Sequence, residues 1–166
     1  ARRIAGAGFD YVGISLDGLQ ATHDKFRRKA GAFDASLAAL RLCRDLDIKV
    51  GVRFTLTQDN FADLPGLLDL VEAEHIDRFY LSHLNYAGRG NVNRKRDARF
   101  RVTREALELL YARAWDYAQR GRHKEFVTGN NDADGVYALH WARLNVPGFE
   151  EARLRAILAA WGGNSS

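Results

Sequence analysis

The chain has 166 residues, 46% hydrophobic and 28% charged, which suits one sizeable core and is short for two domains. Its 25 Lys and Arg against 21 Asp and Glu leave a formal charge of +4, too small a surplus to require nucleic acid as a partner. A single cysteine excludes an internal disulfide framework, and no run approaches the about 20 apolar residues of a membrane span.

In chain order, residues 1–6 read as the last turn of a helix that Gly6 or Gly8 stops. Residues 9–16 form a strand rich in aromatic and β-branched side chains, broken by Asp17-Gly18. Residues 19–31 read as a long polar connection. Phe33, Leu37, Leu40 and Leu46 then recur at helical spacing, which predicts a helix to about Asp45. Residues 48–56 alternate as a second strand. Asp59 or Asn60 is placed to cap a helix through Leu64, Leu67, Leu68 and Val71. Residues 76–82 are a third strand, and a helix over 103–119, capped by Thr103, ends at Gly121. Beyond it, 126–128 reads as a short strand and 129–135 as a turn cluster. Short helices over 136–145 and 149–161 flank Pro147-Gly148. Alternating strands and helices predict an α/β fold with a parallel sheet, whose sites gather at the carboxyl ends of the strands.

The residues at those ends carry the candidate chemistry. Ser15 and Asp17 offer a hydroxyl and a carboxylate at the tip of the first strand, although Asp17-Gly18 is also an ordinary turn pair. The following loop, 22–29, contains Lys25, Arg27, Arg28 and Lys29, which suits an anionic group such as a carboxylate; a solvated loop is the competing reading. Arg53 interrupts an apolar strand and is expected to find a carboxylate, in a ligand or on a neighbouring strand, with Thr55 and Thr57 on its face. The third strand exits into His83, Asn85 and Tyr86, and the run 94–101 adds Arg94, Lys95, Arg96, Arg99 and Arg101. Gly88-Arg89-Gly90 lacks the third glycine of a dinucleotide fingerprint. Cys43, inside a helix, and Trp115, Trp141 and Trp161 read as packing residues. No His or Cys spacing marks a metal site.

Ile14-Ser15-Leu16-Asp17-Gly18, followed by His23-Asp24-x-x-Arg27 and Gly31-Ala32-Phe33, resembles the fourth barrel strand, loop and next helix of radical S-adenosylmethionine enzymes. The likeness is to the branch with a cysteine-rich C-terminal extension. Val52-Arg53-Phe54-Thr55-Leu56-Thr57-x-x-Asn60 resembles the fifth strand. Residues 79–91 (FYLSHLNYAGRGN), 128–135 (TGNNDADG) and the terminal GGNSS resemble the heme d1-forming members.

This resemblance implies the C-terminal half of a partial (β/α)6, TIM-like barrel with outer helices. Residues 1–121 would be its last strands and helices, and 122–166 a helical linker toward a cluster-binding extension. It implies S-adenosylmethionine and a [4Fe–4S] cluster as cofactors of the intact enzyme, with a second iron–sulfur cluster. Ser15, Asp17 and Arg53 would face the cofactor; Arg27, His83, Asn85, Arg94 and Arg96 would face an anionic tetrapyrrole. The implied reaction is an oxidoreductase step of heme d1 biosynthesis, in the service of denitrification. Two propionate side chains of didecarboxysiroheme are removed and give way to oxo groups, with electrons from an unidentified donor. The family's C-x3-C-x2-C loop is absent, so the chain reads as an internal fragment, inactive alone and holding no metal. The opening residues lack the apolar core of a secretion signal, and a cytoplasmic protein without a membrane or nucleic-acid partner is expected. Rival readings are a radical peptide maturase, a heme decarboxylase and, from another class, a non-catalytic α/β binding module.

Overall fold

The sheet forms where β-branched and aromatic residues alternate with small or polar ones. The computed structural model describes residues 6–92 and 94–160, and in it these segments are β1 (Tyr11–Ser15), β2 (Lys49–Thr55), β3 (Arg78–Ser82) and β4 (Glu125–Gly129). The strands pair in chain order, and every pairing is parallel. Val52 lies opposite Ile14 and Phe79, and Phe79 opposite Phe126.

Parallel neighbours need crossovers, and right-handed crossovers that always step the same way stack their helices on one face of the sheet. Here α1 (Gln20–Arg27) and α2 (Ala32–Arg44) join β1 to β2, and α3 (Leu64–Ala73) joins β2 to β3. The crossover from β3 to β4 carries α4 (Phe100–Gln119), while α5 (Ala133–Asn145) and α6 (Glu151–Ala160) follow β4. Val52, Phe54, Phe79 and Leu81 are fully buried against Leu40 of α2, Leu64 and Leu67 of α3, and Ala106 and Leu110 of α4. Each large apolar side chain buried there contributes about 1.5–3 kcal/mol. Cys43 faces this core and is a packing residue, as its helical position predicts.

The opposite face is built from Tyr11, Gly51, Arg53, Arg78, Tyr80 and Gly129. A Cβ at Gly51 would lie 2.1 Å from the Tyr11 hydroxyl, and one at Gly129 1.9 Å from the Tyr80 hydroxyl. Glycine at these two positions therefore lets each tyrosine lie across its neighbouring strand. The Arg78 guanidinium sits 4.6 Å above the Tyr11 ring and that of Arg53 5.1 Å above the Tyr80 ring.

Several elements differ from their sequence-based expectations. The polar connection 19–31 contains a helix, α1, which escapes a periodicity search because it buries only His23. Neither Asp59 nor Asn60 caps α3 through its side chain: a 3-10 turn (Phe61–Asp63) intervenes, and Pro65 opens the helix. Asn60 instead accepts from the Thr57 N–H and donates to the carbonyls of Thr55 and Asp17. Thr103 is not a cap either, since α4 starts at Phe100 and the Thr103 N–H already bonds the Arg99 carbonyl. The short fourth strand is present, and it pairs with β3 along its whole length beyond residue 121. Residues 1–5 of the helical turn expected over 1–6, Trp161 and the GGNSS tail lie outside the described residues.

Candidate functional site

A cavity of about 550 Å³ opens at the carboxyl ends of the strands. Its walls come from the end of α1 (Lys25, Phe26, Arg27, Arg28), the exits of β2 and β3 (Thr55, Ser82, His83, Leu84, Asn85), the loop beyond β3 (Gly90, Val92, Arg96) and Asn130 after β4. The loop is pinned over this end. The Gln58 N–H donates to the Arg96 carbonyl at 2.9 Å, and Thr57 forms an isolated bridge with Asp97.

Beneath the cavity lies a closed polar network. Asp17, 1% exposed, accepts from Arg27 Nη2 at 2.5 Å on one oxygen and from the Thr55 N–H at 3.0 Å on the other. Its own N–H donates to His23 Nδ1 at 2.9 Å. An imidazole that accepts at Nδ1 is neutral and carries its proton on Nε2. Burial pushes the His23 pKa down; Asp17 opposes that shift and Arg27 adds to it. Asp24 accepts from the N–H groups of Phe33 and Gly31, which hold its carboxyl below the usual range and fix the start of α2. The exit of β1 and the end of α1 are thereby locked together, and Arg27 is fixed at the cavity floor.

The structure brings Arg27, His83, Asn85 and Arg96 together on the cavity wall. Arg94 is not there: its guanidinium stacks 4.5 Å from the Tyr86 ring, whose hydroxyl donates to Asp97. A run of basic residues does not disclose which way each one points. Arg96 pairs with Asp59 at 2.6 Å, and Arg27 is paired with Asp17. Among the described residues, Lys25 and Arg28 are the cavity cations without a carboxylate partner. Arg28 sits at φ 54, in the left-handed region that closes α1. Ser15 and its register partner Arg53 lie on the open face of the sheet. Of the two carboxylate sources expected for Arg53, a ligand or a neighbouring strand, the neighbouring strands supply none among the described residues. Arg53 is exposed rather than desolvated, so the cost that would demand a partner is absent.

Asp134 is the residue that sequence reasoning missed. It is 1% exposed in the first turn of α5, and its two oxygens lie 2.8 and 3.0 Å from His83 Nε2. The Tyr111 hydroxyl donates to the Asp134 carbonyl at 2.8 Å, and burial chiefly raises the Tyr111 pKa. Read locally, Asp132-Ala133-Asp134-Gly135 is a turn; nothing near it in the chain points to a histidine 51 positions away. Among the described residues, no group of three or more His, Cys, Asp or Glu side chains could hold a metal ion. No described helix is long and apolar enough to cross a membrane.

No family model matches the chain. The pre-heme d1 synthase of Dinoroseobacter shibae is 56% identical over 167 residues, covering 100% of this chain and 41% of that protein. This chain is similar, along its whole length, to radical S-adenosylmethionine enzymes of heme d1 and heme synthesis. Within that family, the Fe-coproporphyrin III synthase of Methanosarcina barkeri is 39% identical, again over 100% of this chain and 41% of its own length. The chain thus spans about two fifths of the length of these curated relatives. The crystal structure of Streptococcus suis SuiB bound to its precursor peptide SuiA superposes with a TM-score of 0.54 at 17% identity. It covers 86% of this chain and 31% of SuiB, and it shows a shared fold.

Proposed function

We propose that these residues form the C-terminal half of a partial (β/α)6 barrel and that their cavity receives an anionic tetrapyrrole. In the intact enzyme the reaction would be the conversion of didecarboxysiroheme in heme d1 formation, with loss of two propionate side chains. The observation that carries this reading is the 56% identity to a pre-heme d1 synthase over the whole length of this chain. The in-order parallel sheet supports the barrel, because stepping always one way with helices on one face leaves the other face to become an interior.

The residues present do not fit an iron–sulfur cluster. The only cysteine, Cys43, is buried in α2 against the core. Cluster ligands would come from elsewhere in the enzyme. Ser15 and Arg53 are the groups free to meet S-adenosylmethionine on the open face. Asp17 contributes by fixing the strand end and Arg27. Lys25 and Arg28 offer charge to the ligand's carboxylates, and His83 and Asn85 offer polar contacts beside them. Charge-assisted hydrogen bonds of this kind are worth roughly twice neutral ones.

Product analysis of the full-length enzyme, given didecarboxysiroheme, Fe-coproporphyrin precursors and peptides in parallel, tests the proposal. Loss of two propionates from didecarboxysiroheme is expected. Turnover of peptide alone would contradict it. The 39% identity to the Fe-coproporphyrin III synthase favours a second reading, decarboxylation of a related tetrapyrrole, which the same experiment separates.

A further inference from the structure

We propose that Tyr80, laid across Gly129, is a positioning residue that holds the Arg53 guanidinium for a carboxylate of a bound ligand. This rests on the proposed assignment of Arg53 to S-adenosylmethionine. The open face of the sheet carries two Arg–Tyr pairs built alike. Tyr11 lies over Gly51 with the Arg78 guanidinium 4.6 Å from its ring, and Tyr80 lies over Gly129 with that of Arg53 5.1 Å from its ring. The two pairs differ in their anion. Arg78 donates from Nε to Glu125, its register partner on β4, at 2.6 Å. The register neighbours of Arg53 are Ser15 and Tyr80, with Val127 beyond, and no carboxylate pairs with it among the described residues. The chain completes the first pair itself and leaves the second to a ligand.

Tyr80 is half-buried and Arg53 exposed, so the ring is the fixed member of the pair and the guanidinium the accessible one. The place of the ring depends on Gly129, where a Cβ would lie 1.9 Å from the Tyr80 hydroxyl. Gly13 leaves room for the arginine stem: a Cβ there would come within 3.2 Å of Arg53 Cδ. A guanidinium is planar and offers a carboxylate two parallel N–H groups, so it serves a ligand best when held in one orientation. Contact with the electron-rich face of a tyrosine supplies that hold without adding an anion that would compete. Arg53 and Thr55 share a face of β2, and Thr55 lines the cavity. The two positions are about 7 Å apart along the strand, so a carboxylate at Arg53 lies beside the tetrapyrrole cavity rather than within it.

The test is equilibrium binding of S-adenosylmethionine, its decarboxylated analogue and didecarboxysiroheme to the full-length, cluster-loaded enzyme and its variants. Arg53→Gln is expected to weaken S-adenosylmethionine binding by about tenfold or more, the scale of one charge-assisted contact. Tyr80→Leu should weaken it by about threefold to tenfold, the scale of one cation–π contact. Tyr80→Phe keeps the ring and should bind like wild type. Neither loss should extend to the decarboxylated analogue, which has no carboxylate for Arg53 to receive. A defect of the fold would weaken both ligands alike. Wild-type affinity in Arg53→Gln for all three ligands rejects the assignment of Arg53 itself. A loss in Arg53→Gln without one in Tyr80→Leu, or an equal loss of both S-adenosyl ligands in Tyr80→Leu, overturns the Tyr80 role alone. A loss confined to didecarboxysiroheme in both variants keeps the Tyr80 role and moves the carboxylate to the tetrapyrrole.

Discussion

At Asp17 both carboxylate oxygens, the backbone N–H and the carbonyl are all engaged by other parts of the chain. Asp17→Asn removes the charge facing Arg27 and sets an amide donor against the donors of Arg27 and Thr55. A loss of about 1–3 kcal/mol is expected for one buried polar group left unmatched, read as a lower urea midpoint. An unchanged midpoint would contradict the network. His23 adds a pH dependence of defined sign. Burial sets its folded pKa below the ordinary 6.5, so below that pH the unfolded chain takes up a proton that the folded one refuses. Its contribution is complete above that value and fades as the pH drops toward the folded-state pKa. His23→Gln should therefore lose less thermal stability than wild type between about pH 7.5 and about pH 5.5. An equal loss in both proteins would show that His23 titrates normally. Residue identities at strand ends were legible as site candidates; their partners were not. Arg27 reads as a free cation until its ion pair with Asp17 is seen, and Asp134 reads as a turn residue until α5 places it beside His83.

The elements that could be read from the chain are those with an apolar face to bury. The helices α2 and α3 bury Phe33, Leu37 and Leu40, and Leu64, Leu67 and Leu68, at helical spacing. The helix α1 buries a histidine where such a stripe would place a leucine, so it carried no periodic signal. The loop after β3 was legible only as polar, because its shape depends on contacts with the exit of β2. Gly90 shows how tight that shape is: a Cβ there would lie 1.8 Å from the Asn85 backbone oxygen. Backbone cannot swing aside as a side chain can. Gly90→Ala is therefore expected to displace the 83–92 segment and weaken tetrapyrrole binding, while far-ultraviolet circular dichroism stays near wild type. Full affinity in that variant would remove this loop from the site.

Across the whole molecule, one sheet face is sealed by helices and the other is lined by stacked Tyr and Arg pairs, with the cavity where the strands end. The alternation of β2 already contained both faces, Val50, Val52 and Phe54 against Arg53 and Thr55. What alternation could not convey is that the cationic charge available to a ligand is less than the count of basic residues. Arg27 and Arg96 are neutralised within the fold, and Arg94 leans on Tyr86 outside the cavity. Lys25 and Arg28 are left to attract an anion. The most direct measurement is the dissociation constant of didecarboxysiroheme for the full-length enzyme carrying Lys25→Glu and Arg28→Glu together, beside Arg94→Glu as the matched control. The double reversal is predicted to weaken binding by about tenfold or more, the scale of one or two charge-assisted contacts, with the control close to wild type. Equal effects of both proteins, or none from the double reversal, would contradict an anionic ligand in this cavity.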